Sequence, residues 1–136
     1  MGDRMDSVGL VAQEERFARA FAQRDLSIAR PLYHPGVVYL SPTVRLFGWP
    51  ARIEGVDRTL EFIALTIRGA GDIVYRAVES AIVPGGAAAF IRLRFDFTHE
   101  GGRRLRSHYV VIYRYRDGLI GQQELYYDPS GTLEAL

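Results

Sequence analysis

The last third of the chain reads as three long strands in succession. They run Phe90 to Phe97, Arg106 to Arg116 and Leu119 to Tyr127, and are joined through Gly101-Gly102 and Asp117-Gly118. Successive side chains of a strand point to opposite faces. The two-residue spacing of charged groups therefore gathers polar side chains on one face of this sheet. A sheet of that kind, strongly curved, needs a cover of helices on its other face. The sequence upstream supplies one, and a helix-covered cone of sheet encloses a pocket.

The helical spacing is clear in two places. Leu10, Phe17, Ala18 and Phe21 fall on one face of a helix over residues 8–24. Val56, Leu60, Ile63, Ala64 and Ile67 form a second apolar stripe, ended by Gly69 and Gly71. Between them Asp25 caps a short helix through Tyr33, tightened by Pro31. Gly36 to Ser41 reads as a strand, stopped by Pro42. Residues 43–55 read as irregular but carry Leu46, Phe47, Trp49 and Pro50, a heavy apolar load for a loop. The remaining strands are expected at about 73–83, 87–98, 104–116 and 119–127, with turns at Pro84-Gly85-Gly86, Gly101-Gly102 and Asp117-Gly118. Helices collected on one face of a mostly antiparallel sheet make the chain α+β. Its 136 residues are expected to form one domain, with a core over about 8–130.

Composition closes off several chemistries. There is no cysteine, so disulfides, thiolate catalysis and zinc–thiolate sites are excluded. There is no lysine either: all 17 basic residues are arginine, which removes Schiff-base chemistry through a side-chain amine. An Arg-, Ala- and Gly-rich chain without Lys or Asn fits G+C-rich coding and a bacterial source. A net charge of +1 gives no nucleic-acid footprint, and Arg103, Arg104 and Arg106 read as a solvated hairpin tip. No run approaches the ~20 apolar residues of a membrane helix, and Met1 to Ser7 has no apolar signal core, so a cytoplasmic location is expected. No phosphate-binding glycine loop and no Gly-x-Ser-x-Gly elbow occurs. His34, His99 and His108 have no ligand spacing, so neither metal nor cofactor is expected.

The closing run Asp117-Gly118, Ile120, Tyr126-Tyr127, Asp128-Pro129 resembles the terminal strand of the SnoaL-like family, part of the nuclear transport factor 2-like superfamily. The order of the earlier elements fits as well, and the likeness covers about residues 10–130. The resemblance implies a cone-shaped sheet covered by three N-terminal helices. It also implies a hydrophobic substrate of polyketide, terpene or steroid type, cofactor-independent acid–base chemistry (isomerase, cyclase or hydrolase), and a homodimer built through the exposed sheet face.

On the strand 90–97, Arg92, Arg94 and Asp96 share one face, and Ile91, Leu93, Phe95 and Phe97 the other. Periodicity leaves open which set looks into the pocket. Limonene epoxide hydrolases of this superfamily carry an inward Arg-x-Asp here, matched by Arg94 and Asp96, and a first-strand tyrosine matched by Tyr39. The resemblance thus implies Asp96 as general base, Arg94 as its orienter and an oxyanion donor, with His108 and Tyr39 assisting. Phe47, Trp49, Ser41, Leu125 and Tyr127 are the expected pocket residues. Trp49, Phe47 and Leu46 read either as a lid or as loop and dimer packing. Two family carboxylates are missing: the water-activating one falls on Leu125, with Glu124 on the opposite face, and the isomerase base falls on Ser41. A non-catalytic binding or assembly module on the same fold, or a diverged epoxide hydrolase, are the alternatives.

Overall fold

A computed structural model describes residues 4–99, 101–127 and 134–136. The described elements are helix α1 (Ser7–Gln23), strand β1 (Tyr33–Leu40), strand β2 (Ile53–Glu54), helix α2 (Val56–Ile67), then strands β3 (Gly71–Ile82), β4 (Ala88–Thr98), β5 (Arg104–Arg116), β6 (Leu119–Tyr127) and the short β7 (Glu134–Ala135). One sheet runs β2-β1-β6-β5-β4-β3, with β7 added to β5. Every pairing is antiparallel except β1 with β6. The α+β architecture is as the sequence predicts. The segment after Asp25 differs: instead of one short helix it forms two 3₁₀ turns, Leu26–Ile28 and Arg30–Leu32. Pro31 lacks the N–H that a continuous helix needs.

Local chemistry fixes the ends of the elements. The Asp6 carboxylate accepts from the Gly9 N–H at 2.7 Å and starts α1. Arg24 closes α1 in the left-handed region (φ 54°), and its guanidinium donates to the carbonyls of Ile67 and Ala70 at the far end of α2. One side chain thus ends one helix and satisfies orphan carbonyls of the other. At the Asp117-Gly118 turn both residues have positive φ (54° and 75°), as a tight hairpin between twisted strands requires.

The inner face of the sheet is divided in two. Toward one end Ile91, Tyr113, Ile120 and Val37 are fully buried and pack under Phe17 of α1. Toward the other end the same strands leave an open space beneath α2. A break in register between Arg114 and Tyr115 marks the transition on β6. It is centred on Gly121, where an added Cβ would lie 2.9 Å from the Cβ of Arg116. This bulge shifts the alternation by one residue, so that Ile120 points inward and so do Gln123 and Leu125.

Candidate functional site

The open end of the cone is a cavity of about 250 Å³. Its walls come from α1 (Phe17, Phe21), α2 (Ile63, Thr66, Ile67) and the inner faces of β1, β3, β4, β5 and β6. Leu93, Phe95 and Phe97 line it from β4, and Tyr109 and Val111 from β5. The ring of Phe95 meets Phe21 edge-on at 5.5 Å, and Phe21 stacks on Tyr75 at 5.2 Å. Among the described residues no Asp, Glu, His or Arg lines it.

Polar groups enter the cavity at few points. The Tyr33 hydroxyl donates to Gln123 Oε1 at 2.6 Å. Tyr39 stands directly opposite Gln123 in the parallel β1–β6 pair, and both line the cavity. Ser41 and Thr43 share a 2.6 Å hydroxyl contact at its edge, with Thr43 N–H donating to Ser41 Oγ. Burial raises the Tyr33, Tyr39 and Tyr75 hydroxyls above the ordinary tyrosine value, so all three stay protonated at neutral pH.

Behind the aromatic wall lies a carboxylate. Glu14 of α1 is 7% exposed; its Oε1 accepts from Tyr75 at 2.6 Å, and its Oε2 from Tyr113 at 2.9 Å and Gln13 Nε2 at 3.0 Å. Tyr115 extends the cluster by donating to Gln13 Oε1 at 3.0 Å. Burial raises the Glu14 carboxyl above its usual range, and the bonds from Gln13, Tyr75 and Tyr113 only partly oppose this. Of these residues only Tyr75 reaches the cavity wall.

The structure corrects the expected catalytic set. Arg94, Asp96 and His108 are on the outer face of the sheet, not in the cavity. The reason is simple: α1 and α2 cover the face that carries Leu93, Phe95 and Phe97, and alternation sends the intervening residues the other way. Asp96 is paired not with Arg94 but with Arg106, its partner across β5. Arg106 Nε donates to Oδ1 at 2.7 Å and NH2 to Oδ2 at 3.0 Å. This fork holds the Asp96 carboxyl below its usual range, outweighing its partial burial. His108 lies opposite Arg94, one row along. Glu124 also faces outward, as its parity predicts. Burial would raise its carboxyl, but hydrogen bonds from Tyr126, Gln122 and Arg114 hold it below the usual range.

The other expected residues divide. Tyr39, Ser41, Phe47 and Leu125 line the cavity; Trp49 and Tyr127 do not. Trp49 lies against Phe62 (5.1 Å) with the Arg58 guanidinium 4.3 Å above its ring, and so anchors the rim. Tyr127 shares a face with Leu125 but packs on Tyr109 at 4.8 Å. The segment 43–55 is less irregular than its composition suggests: Pro42–Phe47 forms a 3₁₀ turn, leaving Leu46 79% and Phe47 40% exposed at the cavity edge. His34 is structural: its Nδ1 accepts from the Gly36 N–H at 2.9 Å. Among the described residues no three or more of His, Asp and Glu are grouped to hold a metal ion, and no helix is long and apolar enough to cross a membrane.

Three groups central to the site are absent from the expected set. Glu14 lies on the same helical stripe as Leu10, Phe17 and Phe21, where a carboxylate is out of place; that is a readable signal. Gln123 is two residues before Leu125 and so shares its face. Tyr33, at the end of the short turns, offers no such cue.

The family model described as the SnoaL-like domain matches residues 15–122. Among solved structures, the chain is similar to TsrD from Streptomyces laurentii (20% identity, TM-score 0.75, covering 94% of each chain). It is also similar to a candidate isomerase from Bacillus subtilis (20%, TM-score 0.74, 88% of this chain and 86% of that one). A candidate polyketide cyclase from Sinorhizobium meliloti is a third (19%, TM-score 0.66, 90% and 100%). At these identities the likeness establishes the fold. No curated protein matches the chain.

Proposed function

The chain belongs to the SnoaL-like domain family, and on that footing we propose that it binds a small hydrophobic molecule of polyketide, terpene or steroid-fragment type in its inner cavity. One observation carries this reading: among the described residues the cavity walls hold aromatic and aliphatic side chains, a few neutral hydroxyls and one amide, and no carboxylate or imidazole. Small-molecule sites have this make-up, mostly apolar with a few placed polar groups. A volume of about 250 Å³ suits a mono- or bicyclic compound. Acid–base chemistry through Asp96, Arg94 and His108 finds no support, since a general base must reach the proton that it takes.

A second reading keeps catalysis. Glu14, with its raised pKa, is one hydrogen bond from Tyr75, which lines the cavity. A buried carboxyl of this kind is where isomerase- or cyclase-type proton transfer would reside. The outer face supports a further proposal, a homodimer. Val74, Val78, Phe90 and Tyr126 are 41–51% exposed there beside the paired charges, and light scattering tests it.

Thermal-shift and calorimetric titration against a panel of lipophilic mono- and bicyclic compounds tests the main reading. Leu125→Trp, which fills the cavity, is expected to abolish binding while the far-ultraviolet circular dichroism stays unchanged. A panel without a single binder, or binding that survives Leu125→Trp, would refute it. Glu14→Gln separates the readings: retained binding with lost turnover favours catalysis, and no turnover in the wild type favours binding alone.

A further inference from the structure

This inference rests on the cavity being the ligand site, and concerns which ligands it accepts. Gln123 is 7% exposed and lines the cavity. Its amide is asymmetric, with an acceptor on one side and two N–H donors on the other. Tyr33 decides which side faces the ligand. The Tyr33 ring is 3% exposed and its hydroxyl lies 2.6 Å from Gln123 Oε1. A buried O–H has to donate, and among the described residues Gln123 is its one hydrogen-bond partner. Turning the amide over would set Nε2 against the hydroxyl and leave the Tyr33 proton without an acceptor. Oε1 is therefore taken up by Tyr33. Nε2 forms no hydrogen bond with a described residue, yet it is not an enclosed orphan: among the described residues Thr59 Oγ1 alone has that status. The Nε2 donors open onto the cavity. Tyr39, in register beside Gln123, brings a protonated hydroxyl to the same wall.

We propose that Gln123, oriented by Tyr33, determines specificity: the cavity selects apolar molecules carrying an acceptor oxygen of carbonyl type, placed against Gln123 Nε2 and Tyr39, over the matching hydrocarbon. Binding the hydrocarbon strips water from Nε2 and returns nothing, whereas the carbonyl replaces the lost bond.

Calorimetry with a matched set of bicyclic probes tests this: 1-tetralone, 1-tetralol and tetralin. The wild type is expected to bind tetralone about tenfold more tightly than tetralin, the equivalent of one well-made neutral hydrogen bond, with tetralol between them. Tyr33→Phe frees the amide to rotate and present Oε1, so the preference of tetralone over tetralol is expected to disappear. In Tyr33→Phe/Gln123→Leu both partners are gone and no polar group is orphaned, so the fold is kept; the advantage of tetralone over tetralin is expected to shrink to what the Tyr39 hydroxyl alone supplies. Equal wild-type affinity for tetralone and tetralin overturns the proposal, as does a tetralone-to-tetralol ratio unmoved by Tyr33→Phe. If none of the three binds, the ligand-site reading falls and this inference with it; if all bind alike, only the inference falls.

Discussion

Asp96→Asn is expected to weaken the fold and leave ligand binding intact. In the wild type the Asp96 carboxylate takes two guanidinium bonds from Arg106, at 2.7 and 3.0 Å. Asp96 is 8% exposed, and the Arg106 side chain 23%. At an effective dielectric near 20 such a pair attracts by about 4 kcal/mol, much of it offset by desolvation. Exposed pairs contribute roughly 0.2–1 kcal/mol, and breaking a buried one costs roughly 3–5. The intermediate burial here places the loss at about 2 kcal/mol. For a domain of this size that lowers the melting temperature by about 7 °C. The pH dependence has a definite sign. A carboxyl held below its ordinary value of 3.8 stabilises the fold above that pH, and the contribution fades as pH falls through the native pKa. The gap between wild type and Asp96→Asn is therefore largest at neutral pH and closes in acid. Differential scanning calorimetry at pH 7 and pH 3, with tetralone titrations at pH 7, measures all of this. An unchanged melting temperature, or a several-fold loss of tetralone affinity with the fold intact, would refute the outer-face, structural role of Asp96.

Other substitutions probe the interior. Because burial raises the Glu14 carboxyl above its ordinary 4.5, its contribution is present in acid and is lost as pH rises through the native pKa; Glu14→Gln should flatten that decline in a melting profile taken upward from pH 4.5. Glu14→Leu should cost roughly 2–4 kcal/mol in urea denaturation, since the Tyr75 and Tyr113 hydroxyls lose their acceptor, and Tyr75→Phe/Tyr113→Phe added to it should recover most of the loss. Thr59 is fully buried with an unbonded hydroxyl, so Thr59→Val should stabilise by about 1 kcal/mol in the same assay. Gly86 has φ 76° and its missing Cβ would lie 2.7 Å from the Met5 carbonyl oxygen, so Gly86→Ala should destabilise by roughly 2 kcal/mol or more.

Much of the fold is legible in the sequence, and the physics says which part. The strands from β3 onward are marked by long alternating runs, and their turns by glycines that only positive φ can use. The apolar stripe of α2 is equally plain. The facing of β4 is where sequence signals conflict. Alternation separates Ile91, Leu93, Phe95 and Phe97 from Arg92, Arg94 and Asp96 but leaves open which set is covered. The Arg-x-Asp resemblance points to the charged set as the inward one, and the helices decide against it. Gln123 is obscured by a different cause: the bulge at Gly121 breaks the parity that would be counted from the Asp117-Gly118 turn, where Ile120 and Gln122 would share a face. Trp49 and Tyr127 are aromatics that pack beside lining or rim residues without lining the cavity themselves, a distinction that composition does not make. Glu14 is the opposite case, plain in the helical pattern and meaningful only once Tyr75 and Tyr113 are brought to it from strands far along the chain.

The parallel join of β1 to β6 has a consequence for biogenesis. Tyr33 leaves the ribosome 90 residues before Gln123, and the polar wall they build with Tyr39 exists only when the two strands meet. A chain that stops short of β6 lacks the Gln123 and Leu125 side of the cavity, so nothing bound there can template the early steps of folding. Closing a contact of such long sequence separation is also among the slower events a small domain undergoes, which makes the docking of β6 between β1 and β5 the step that completes the cavity.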